Sequence, residues 1–175
     1  MSGFGTQTAA VSGGGFTTTA VNNTETWNGS SWTEVNEMNT ARWYLTGAGT
    51  QTSGIAAVGA TPSQVNNVET WDGTSWSETT EANTARDQMC DGAGSSSDNA
   101  IIYGGATPSA SALTEQWDGT SWTEVADLAT ARKGIGSFGA STKSAVAASG
   151  ATPTRITNTE DWNEADFLIK TVTTS

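Results

Sequence analysis

Histidine is absent from this 175-residue sequence, and cysteine occurs once, at Cys90. Histidine is the most common general base and the most common zinc and copper ligand, so its absence excludes most nucleophile–base triads and most transition-metal sites. A single cysteine cannot form an intrachain disulfide, and we expect Cys90 to be a small buried hydrophobic residue rather than a reactive thiol. We therefore expect a protein that is not an enzyme and that carries no cofactor.

Basic residues are also scarce. The sequence has seven Lys and Arg and 18 Asp and Glu, which gives a formal net charge of -11. Such a chain lacks the basic face that nucleic acid binding requires, so nucleic acid is not an expected partner. No apolar run is long enough to span a bilayer, so we expect no membrane insertion. Leu and Lys are rare, while Thr, Ser, Gly, Ala and Asn dominate, which favours short strands and tight turns over helices.

Tryptophan, by contrast, is abundant, and seven of the eight Trp residues lie in copies of one motif, Glu-x-Trp-Asp/Asn-Gly-Thr/Ser-Ser-Trp. Three copies are complete and a fourth is degenerate; they begin at Glu25, Glu69, Glu115 and Glu160. An Asn-Gly or Asp-Gly step between apolar residues is a strong hairpin signal, because glycine tolerates positive φ. We predict that the two aromatic residues of each copy pack together across the hairpin as structural residues. They are Trp27 with Trp32, Trp71 with Trp76, Trp117 with Trp122, and Trp162 with Phe167.

The motif recurs with a period of about 45 residues, which is typical of propellers and solenoids. Each unit is predicted to hold four short strands, as a propeller blade does. In the second unit these are Leu45–Thr50, Ile55–Val58, Val68–Trp71 and Trp76–Thr79, with a loop at Gly59–Gln64 where Pro62 ends the pairing. The corresponding inner strands of the next two units are predicted at Ala100–Tyr103 and Ala145–Ala148.

We therefore predict an all-β fold with a single domain, 1–175, a propeller of four four-stranded blades. The approximate repeats are 1–40, 41–84, 85–130 and 131–175. The repeat register leaves a circle of four units nearly complete, and two closures fit it: one chain closes a compact ring, or several chains contribute blades to a larger ring. Phe167–Thr174 is predicted to form a longer final strand, which either seals the ring or is donated to a neighbouring subunit.

Three of the seven basic residues occupy one position of the repeat, within Ala-Arg pairs: Arg42, Arg86 and Arg132. Arginine presents a planar fork of donors that suits a carboxylate. We predict that these arginines tie neighbouring blades together through the repeated Glu25, Glu69, Glu115 and Glu160, and ligand binding is the alternative. Carboxylate pairs such as Glu115 with Glu124 recur in several units, whereas a glycosidase pair normally occurs once, so we interpret them as structural or solvated.

Binding residues are expected where the repeats differ, directly after each Ala-Arg pair. These candidates are Trp43, Tyr44, Asp87, Gln88, Met89 and Lys133. Trp43 and Tyr44 are aromatic residues without counterparts in the other repeats, and aromatic anchors dominate many binding surfaces. The alternative is that these two side chains fill the central channel or a subunit seam.

The order of these motifs resembles a kelch repeat: Ala-Arg, an apolar strand ending in Gly-Gly or Gly-Ala, Glu-x-Trp and a second Trp. Ile101–Gly105 is the most similar inner strand, while Trp in place of the usual Tyr and Gly-Ala at two diglycine sites are departures. The sequence Glu-x-Trp-Asp-Gly-Thr-Ser-Trp-Thr-Glu-Val and the ending Thr-Val-Thr-Thr-Ser further resemble kelch-like virion proteins of tailed phages, especially marine ones.

This resemblance implies a kelch-like β-propeller that serves as a non-enzymatic structural or binding component of the virion surface, such as an appendage, a fibre or a decoration protein. The partners it implies are other virion proteins, further copies of the chain, or a glycan or protein on the host surface. The alternative is a free lectin-like or adaptor module.

Overall fold

The computed structural model describes residues 1–88, 93–163 and 170–172. These residues form strands, turns and loops, and none of them is helical. The candidate binding residue Met89 lies outside the described residues, as do Cys90, which is predicted to be buried, and Phe167, which takes the place of a second Trp in the fourth motif.

The strands build four antiparallel sheets of four strands each, with the strands of every sheet in chain order. Sheet 1 consists of β1 (Ser2–Thr6), β2 (Ala9–Phe16), β3 (Ala20–Trp27) and β4 (Trp32–Val35). Sheet 2 consists of β5 (Thr46–Thr50), β6 (Ser53–Ala60), β7 (Gln64–Trp71) and β8 (Trp76–Glu78). Sheet 3 consists of β9 (Ala93–Ser96), β10 (Asn99–Tyr103), β11 (Thr114–Trp117) and β12 (Trp122–Glu124). Sheet 4 consists of β13 (Gly136–Ser141), β14 (Ser144–Ala148) and, after a small hairpin of β15 (Ala151–Thr152) and β16 (Thr154–Arg155), β17 (Thr159–Asn163) and β18 (Lys170–Val172).

The predictions of an all-β fold and of four strands per repeat are confirmed. The loop predicted at Gly59–Gln64 is too long, because β6 continues to Ala60 and β7 begins at Gln64. Pairing continues past Val58 because the register shifts there, and Val58 and Gly59 take positive φ values of 54° and 116°. A bulge of this kind absorbs an extra residue and lets the ladder resume beyond it.

Of the predicted final strand Phe167–Thr174, the structure describes only Lys170–Val172, which form β18. β18, which lies within the predicted final strand, pairs antiparallel with β17 and completes sheet 4. In the described residues this segment is therefore the outer strand of its own sheet.

The Trp motif forms the hairpin between the third and fourth strands. In sheet 2, Trp71 and Trp76 are paired in register and their ring centroids lie 5.3 Å apart. The Oδ1 atom of Asp72 accepts hydrogen bonds from the backbone N–H groups of Thr74 and Ser75, both at 2.8 Å. Gly73 has a φ of 95°, which a residue with a side chain rarely adopts. The turn therefore explains why Asp-Gly recurs between the two Trp residues.

We expect Asp72→Asn to reduce the loss of stability that acid causes below about pH 5. The hydrogen bonds from Ser75 and Thr74 lower the pKa of the Asp72 carboxyl below its ordinary value. The folded pKa is thus below the unfolded one, so the carboxylate stabilises the fold above its unfolded pKa, and this contribution is lost as the pH falls through the folded pKa.

Sheet 1 shows that asparagine preserves this turn at neutral pH, because Asn28 accepts the equivalent two bonds at 2.9 Å. Urea unfolding of the parent and of Asp72→Asn across a pH series measures the effect. An identical pH dependence for the two proteins would contradict the role given to the Asp72 carboxylate.

The first strands of the sheets lie side by side, with β1 beside β5, β5 beside β9 and β9 beside β13. Among the described strands, no contact of comparable extent joins β13 to β1. The sheets thus follow one another in chain order, and two exposed aromatic residues, Trp32 of sheet 1 and Phe138 of sheet 4, mark the two outer faces of the series.

Apolar side chains fill the three spaces between successive sheets. Between sheets 1 and 2, the ring of Phe4 meets Trp76 edge-on, with centroids 6.2 Å apart. A Cβ atom on Gly54 would overlap this Phe4 ring, so glycine is required there for close packing. The largest buried cluster joins sheets 2 and 3 and contains Ala48, Ile55, Ala57, Val58, Val68, Ala82, Ala100, Ile102, Trp117 and Trp122.

Candidate functional site

The predicted binding residues lie where the chain enters each sheet, and their backbone geometry repeats. Isolated antiparallel bridges join Trp43 to Ala60, Asp87 to Ala106 and Lys133 to Ala151. The following residue has positive φ in all three repeats: 54° at Tyr44, 53° at Gln88 and 61° at Gly134. Because the backbone is held in the same way each time, the side chains at these two positions can differ without a change of fold.

The structure places a third aromatic residue, Phe16, beside the predicted Trp43 and Tyr44, and we call these three the aromatic patch. The rings of Phe16 and Trp43 meet edge-on with centroids 5.1 Å apart. Phe16 is 58% exposed and Tyr44 is 53% exposed, while Trp43 is half-buried. The patch borders two clefts of about 370 and 460 Å³, the second of which reaches Pro62 of sheet 2. It forms an apolar surface with concave edges that a ligand can enter.

Sequence reasoning missed Phe16, although a signal was present. Phe16 pairs with Ala20 at the end of β2, and Ala60 pairs with Gln64 at the same place in β6. An aromatic residue therefore stands where another repeat has alanine, as Trp43 and Tyr44 stand where other repeats have polar residues or glycine. A position-by-position comparison of the repeats would have found all three.

The other predicted binding residues do not form one site. Asp87 is buried, and its carboxylate accepts a hydrogen bond from Nε2 of Gln64 at 3.2 Å, so it stabilises the local structure. Gln88 and Lys133 are brought together, and with Arg155 they line a separate cleft of about 410 Å³. This third cleft offers two cationic side chains, Lys133 and Arg155.

The repeated Trp residues are engaged within the scaffold. The first Trp of each motif donates its indole N–H to a turn carbonyl in the same sheet, at 2.7 to 2.9 Å: Trp27 to Gln7, Trp71 to Gln51, Trp117 to Ser97 and Trp162 to Thr142. The second Trp reaches toward the preceding sheet, since Trp76 donates to the Thr24 hydroxyl at 3.0 Å and Trp122 donates to the Thr80 carbonyl at 3.2 Å. The indole of the second Trp therefore connects its sheet to the part of the chain that precedes it.

Three buried ion pairs engage the repeated arginines: Arg42 with Glu69 at 3.1 Å, Arg86 with Glu115 at 2.8 Å, and Arg132 with Glu160. In each pair the arginine lies on the segment that connects two sheets. The backbone of Arg42 bonds to sheet 1, where its carbonyl accepts from the N–H of Gly15 at 2.8 Å, while its side chain bonds to sheet 2. Each arginine thus bridges consecutive sheets and is not available to a ligand.

The fourth predicted partner, Glu25, differs from the other three. It is exposed, and it forms no ion pair with the described residues. The prediction that Glu25 ties two sheets is therefore not met within the described chain, because no other described sheet packs on that side of sheet 1. Trp32, which follows it in the motif, is likewise 48% exposed, against 7% for Trp76.

Among the predicted carboxylate pairs, the buried glutamates are held in ion pairs. Glu115 lies opposite Glu124, but its carboxylate accepts from Arg86 and from the Asn83 N–H at 2.7 Å. Within 1–88, 93–163 and 170–172, no group of three or more acidic or cysteine side chains could hold a metal ion.

None of the described residues is helical, so the described part of the chain contains no helix that could cross a bilayer. No protein-family model matches the chain, and no curated protein matches it significantly.

Proposed function

We propose that this chain is a non-enzymatic structural and binding protein of the surface of a tailed-phage particle, built as a kelch-like β-propeller. Four four-stranded antiparallel sheets in chain order, with their first strands side by side, support the propeller assignment. The kelch-like order of Ala-Arg, apolar strand and Trp motif supports the family assignment. The resemblance of the Trp motif to phage virion proteins supports the location.

The aromatic patch is the observation that carries the binding function. The repeated Trp, Arg and Glu side chains are mostly buried and bonded within the scaffold, whereas Phe16 and Tyr44 are exposed at positions that differ among the repeats. Aromatic side chains offer a large contact area at a small cost in conformational entropy, and the Tyr hydroxyl adds a polar contact. A host-surface glycan, a host protein or another virion protein is the partner that such a surface serves.

We expect the double variant Phe16→Ser/Tyr44→Asn to reduce partner binding at least tenfold, because it removes the two exposed rings of the patch. Asparagine tolerates positive φ, and both side chains are exposed, so the free energy of unfolding should change by less than about 1 kcal/mol. Phe138→Ser is the matched control, because Phe138 is an exposed phenylalanine on sheet 4. Binding of the labelled proteins to host cells and to a glycan array measures the effect.

Two outcomes separate the parts of this proposal. Immunogold electron microscopy of purified phage particles should place the protein on their surface. Absence from the particles, with binding that depends on the aromatic patch, would replace the virion assignment with a free lectin-like or adaptor module. Binding that the double variant leaves intact would remove the patch from the function.

A further inference from the structure

One face of sheet 1 is uncovered, whereas the equivalent face of each other sheet is covered. We call it the open face and define it by Gln7, Glu25, Trp27 and Trp32. The equivalent residues of sheet 2 are Gln51, Glu69, Trp71 and Trp76, which lie against sheet 1. Glu69 and Trp71 are fully buried there, whereas Glu25 is exposed and Trp27 is half-buried.

The connecting segment 36–42 covers this face in sheet 2. Glu69 accepts hydrogen bonds from the backbone N–H groups of Asn39 at 2.7 Å and Thr40 at 3.2 Å, and from Nη2 of Arg42 at 3.1 Å. Met38 belongs to the same buried cluster as Trp76. The segment therefore supplies a cation, two backbone donors and an apolar side chain to one carboxylate and its neighbouring Trp.

The same arrangement recurs on sheets 3 and 4. Glu115 accepts from the Asn83 N–H at 2.7 Å and from Arg86 at 2.8 Å. Glu160 accepts from the Ala129 N–H at 2.7 Å and from Arg132. In sheets 2, 3 and 4 the equivalent face is therefore covered in the same way, by a connecting segment that ends in Thr-Ala-Arg.

A second contact between sheets 1 and 2 also has a counterpart that is unused on the open face. Nε2 of Gln51 reaches from sheet 2 to the Trp27 carbonyl of sheet 1, at 2.7 Å. Gln7 is its counterpart on sheet 1; it is exposed, and its side chain makes no hydrogen bond to the described residues. Beside Trp32 the surface forms a cleft of about 400 Å³ along β1 and β2. The open face therefore keeps the groups that the covered faces use: the Glu25 carboxylate as acceptor, the Gln7 amide as donor, and the apolar surface of the two Trp residues.

We propose that the open face binds a polypeptide segment of the type Asn-Thr-Ala-Arg, presented by a sheet of the same kind, with its arginine paired to Glu25. The planar guanidinium matches a carboxylate through two parallel donors, and pairing would remove the carboxylate from solvent under the arriving segment. This interface is distinct from the aromatic patch and does not depend on the phage assignment.

A second copy of the described chain does not fit this partner. Its Arg42, Arg86 and Arg132 are buried in their own ion pairs. Its remaining arginine, Arg155, lies in the β15–β16 hairpin and not on a segment that connects two sheets. A copy packing head to tail would bring the exposed Phe138 of sheet 4 to the open face, but no arginine from the described residues to Glu25.

The test uses a capped peptide with the sequence of residues 36–42, Asn-Glu-Met-Asn-Thr-Ala-Arg, titrated into the ¹⁵N-labelled protein. We expect saturable shifts of the Trp27 and Trp32 indole N–H signals, with a Kd on the order of 1 mM for so short a peptide. The buried indoles of Trp71 and Trp117 serve as internal references and should not shift.

Charge variants test whether the arginine and Glu25 carry the binding. Glu25→Gln should weaken binding at least fivefold, and because Glu25 is exposed the variant should fold as the parent does. Glu37→Gln is the matched control, since Glu37 is exposed and lies outside the open face, and it should leave the Kd unchanged. A peptide with alanine in place of arginine should produce no saturation.

Three results would overturn the proposal: no saturable shift at 10 mM peptide, on the order of ten times the expected Kd; equal binding by Glu25→Gln; or equal binding by the arginine-free peptide. Sedimentation of the labelled protein alone identifies a second copy on the open face. An oligomer that Trp32→Ala dissociates and Glu25→Gln does not would assign the face to self-association instead. None of these results affects the test of the aromatic patch.

Discussion

Trp117→Ala is expected to lower the free energy of unfolding by about 3–5 kcal/mol. Trp117 is 1% exposed, and its ring centroid lies 5.3 Å from that of Trp122 in the cluster between sheets 2 and 3. Truncation leaves a cavity the size of an indole, and it removes the donor that reaches the Ser97 carbonyl at 2.8 Å. Urea unfolding followed by circular dichroism measures the change.

Trp32→Ala is the control for this substitution, because Trp32 belongs to the same motif but lies on the uncovered face of sheet 1. Most of the stability lost on truncating a Trp comes from contacts that exclude water. Truncation of the half-exposed Trp32 should therefore lower the free energy of unfolding by about 1 kcal/mol or less. Stability within about 0.5 kcal/mol of the parent after Trp117→Ala would contradict the packing role of the motif.

Arg86→Ala should destabilise the fold by a similar amount, about 3–5 kcal/mol, because it leaves the Glu115 carboxylate buried without its cation. Both side chains of this ion pair are fully buried. Arg86 also donates to the Leu113 carbonyl at 2.6 Å, so its removal breaks a second connection. Arg155→Ala, at an exposed arginine, is the control and should change stability by no more than about 0.5 kcal/mol.

The pair itself is not expected to be a large net source of stability. Burial lowers the pKa of the Arg86 guanidinium, and the nearby Glu115, Asp127 and Glu124 oppose that effect. The double variant Arg86→Met/Glu115→Leu should therefore recover much of the stability lost by Arg86→Ala, since an apolar pair needs no desolvation of charge. A stable Arg86→Ala protein that had lost partner binding would instead assign this arginine to a ligand.

Much of the fold was predictable because the information is local. The turn at Asp72-Gly73 depends on residues adjacent in sequence, and the pairing of Trp71 with Trp76 follows from that turn. The repeat period then places equivalent strands in each of the four sheets. The continuation of β6 past Val58 was not predicted, because it depends on a bulge in the ladder between β6 and β7.

The candidate site was predictable in part. Trp43 and Tyr44 could be found by comparing repeats, whereas their association with Phe16 required the structure. Phe16 and Trp43 belong to different repeats, and the packing of sheet 1 against sheet 2 brings their rings together. The structure was also needed to show that Asp87 is engaged with Gln64, whereas the adjacent Gln88 lines a cleft with Lys133 and Arg155.

By itself, the sequence determined the strand pattern, the hairpins and the absence of histidine chemistry, because these follow from residue type and short spacing. Only the tertiary structure decided which copies of the repeated motif are buried. Trp32 and Trp76 stand in nearly identical sequences, yet one is 48% exposed and the other 7%. Burial depends on whether another sheet and its arginine segment pack against the face, and no single copy of the motif encodes that neighbour.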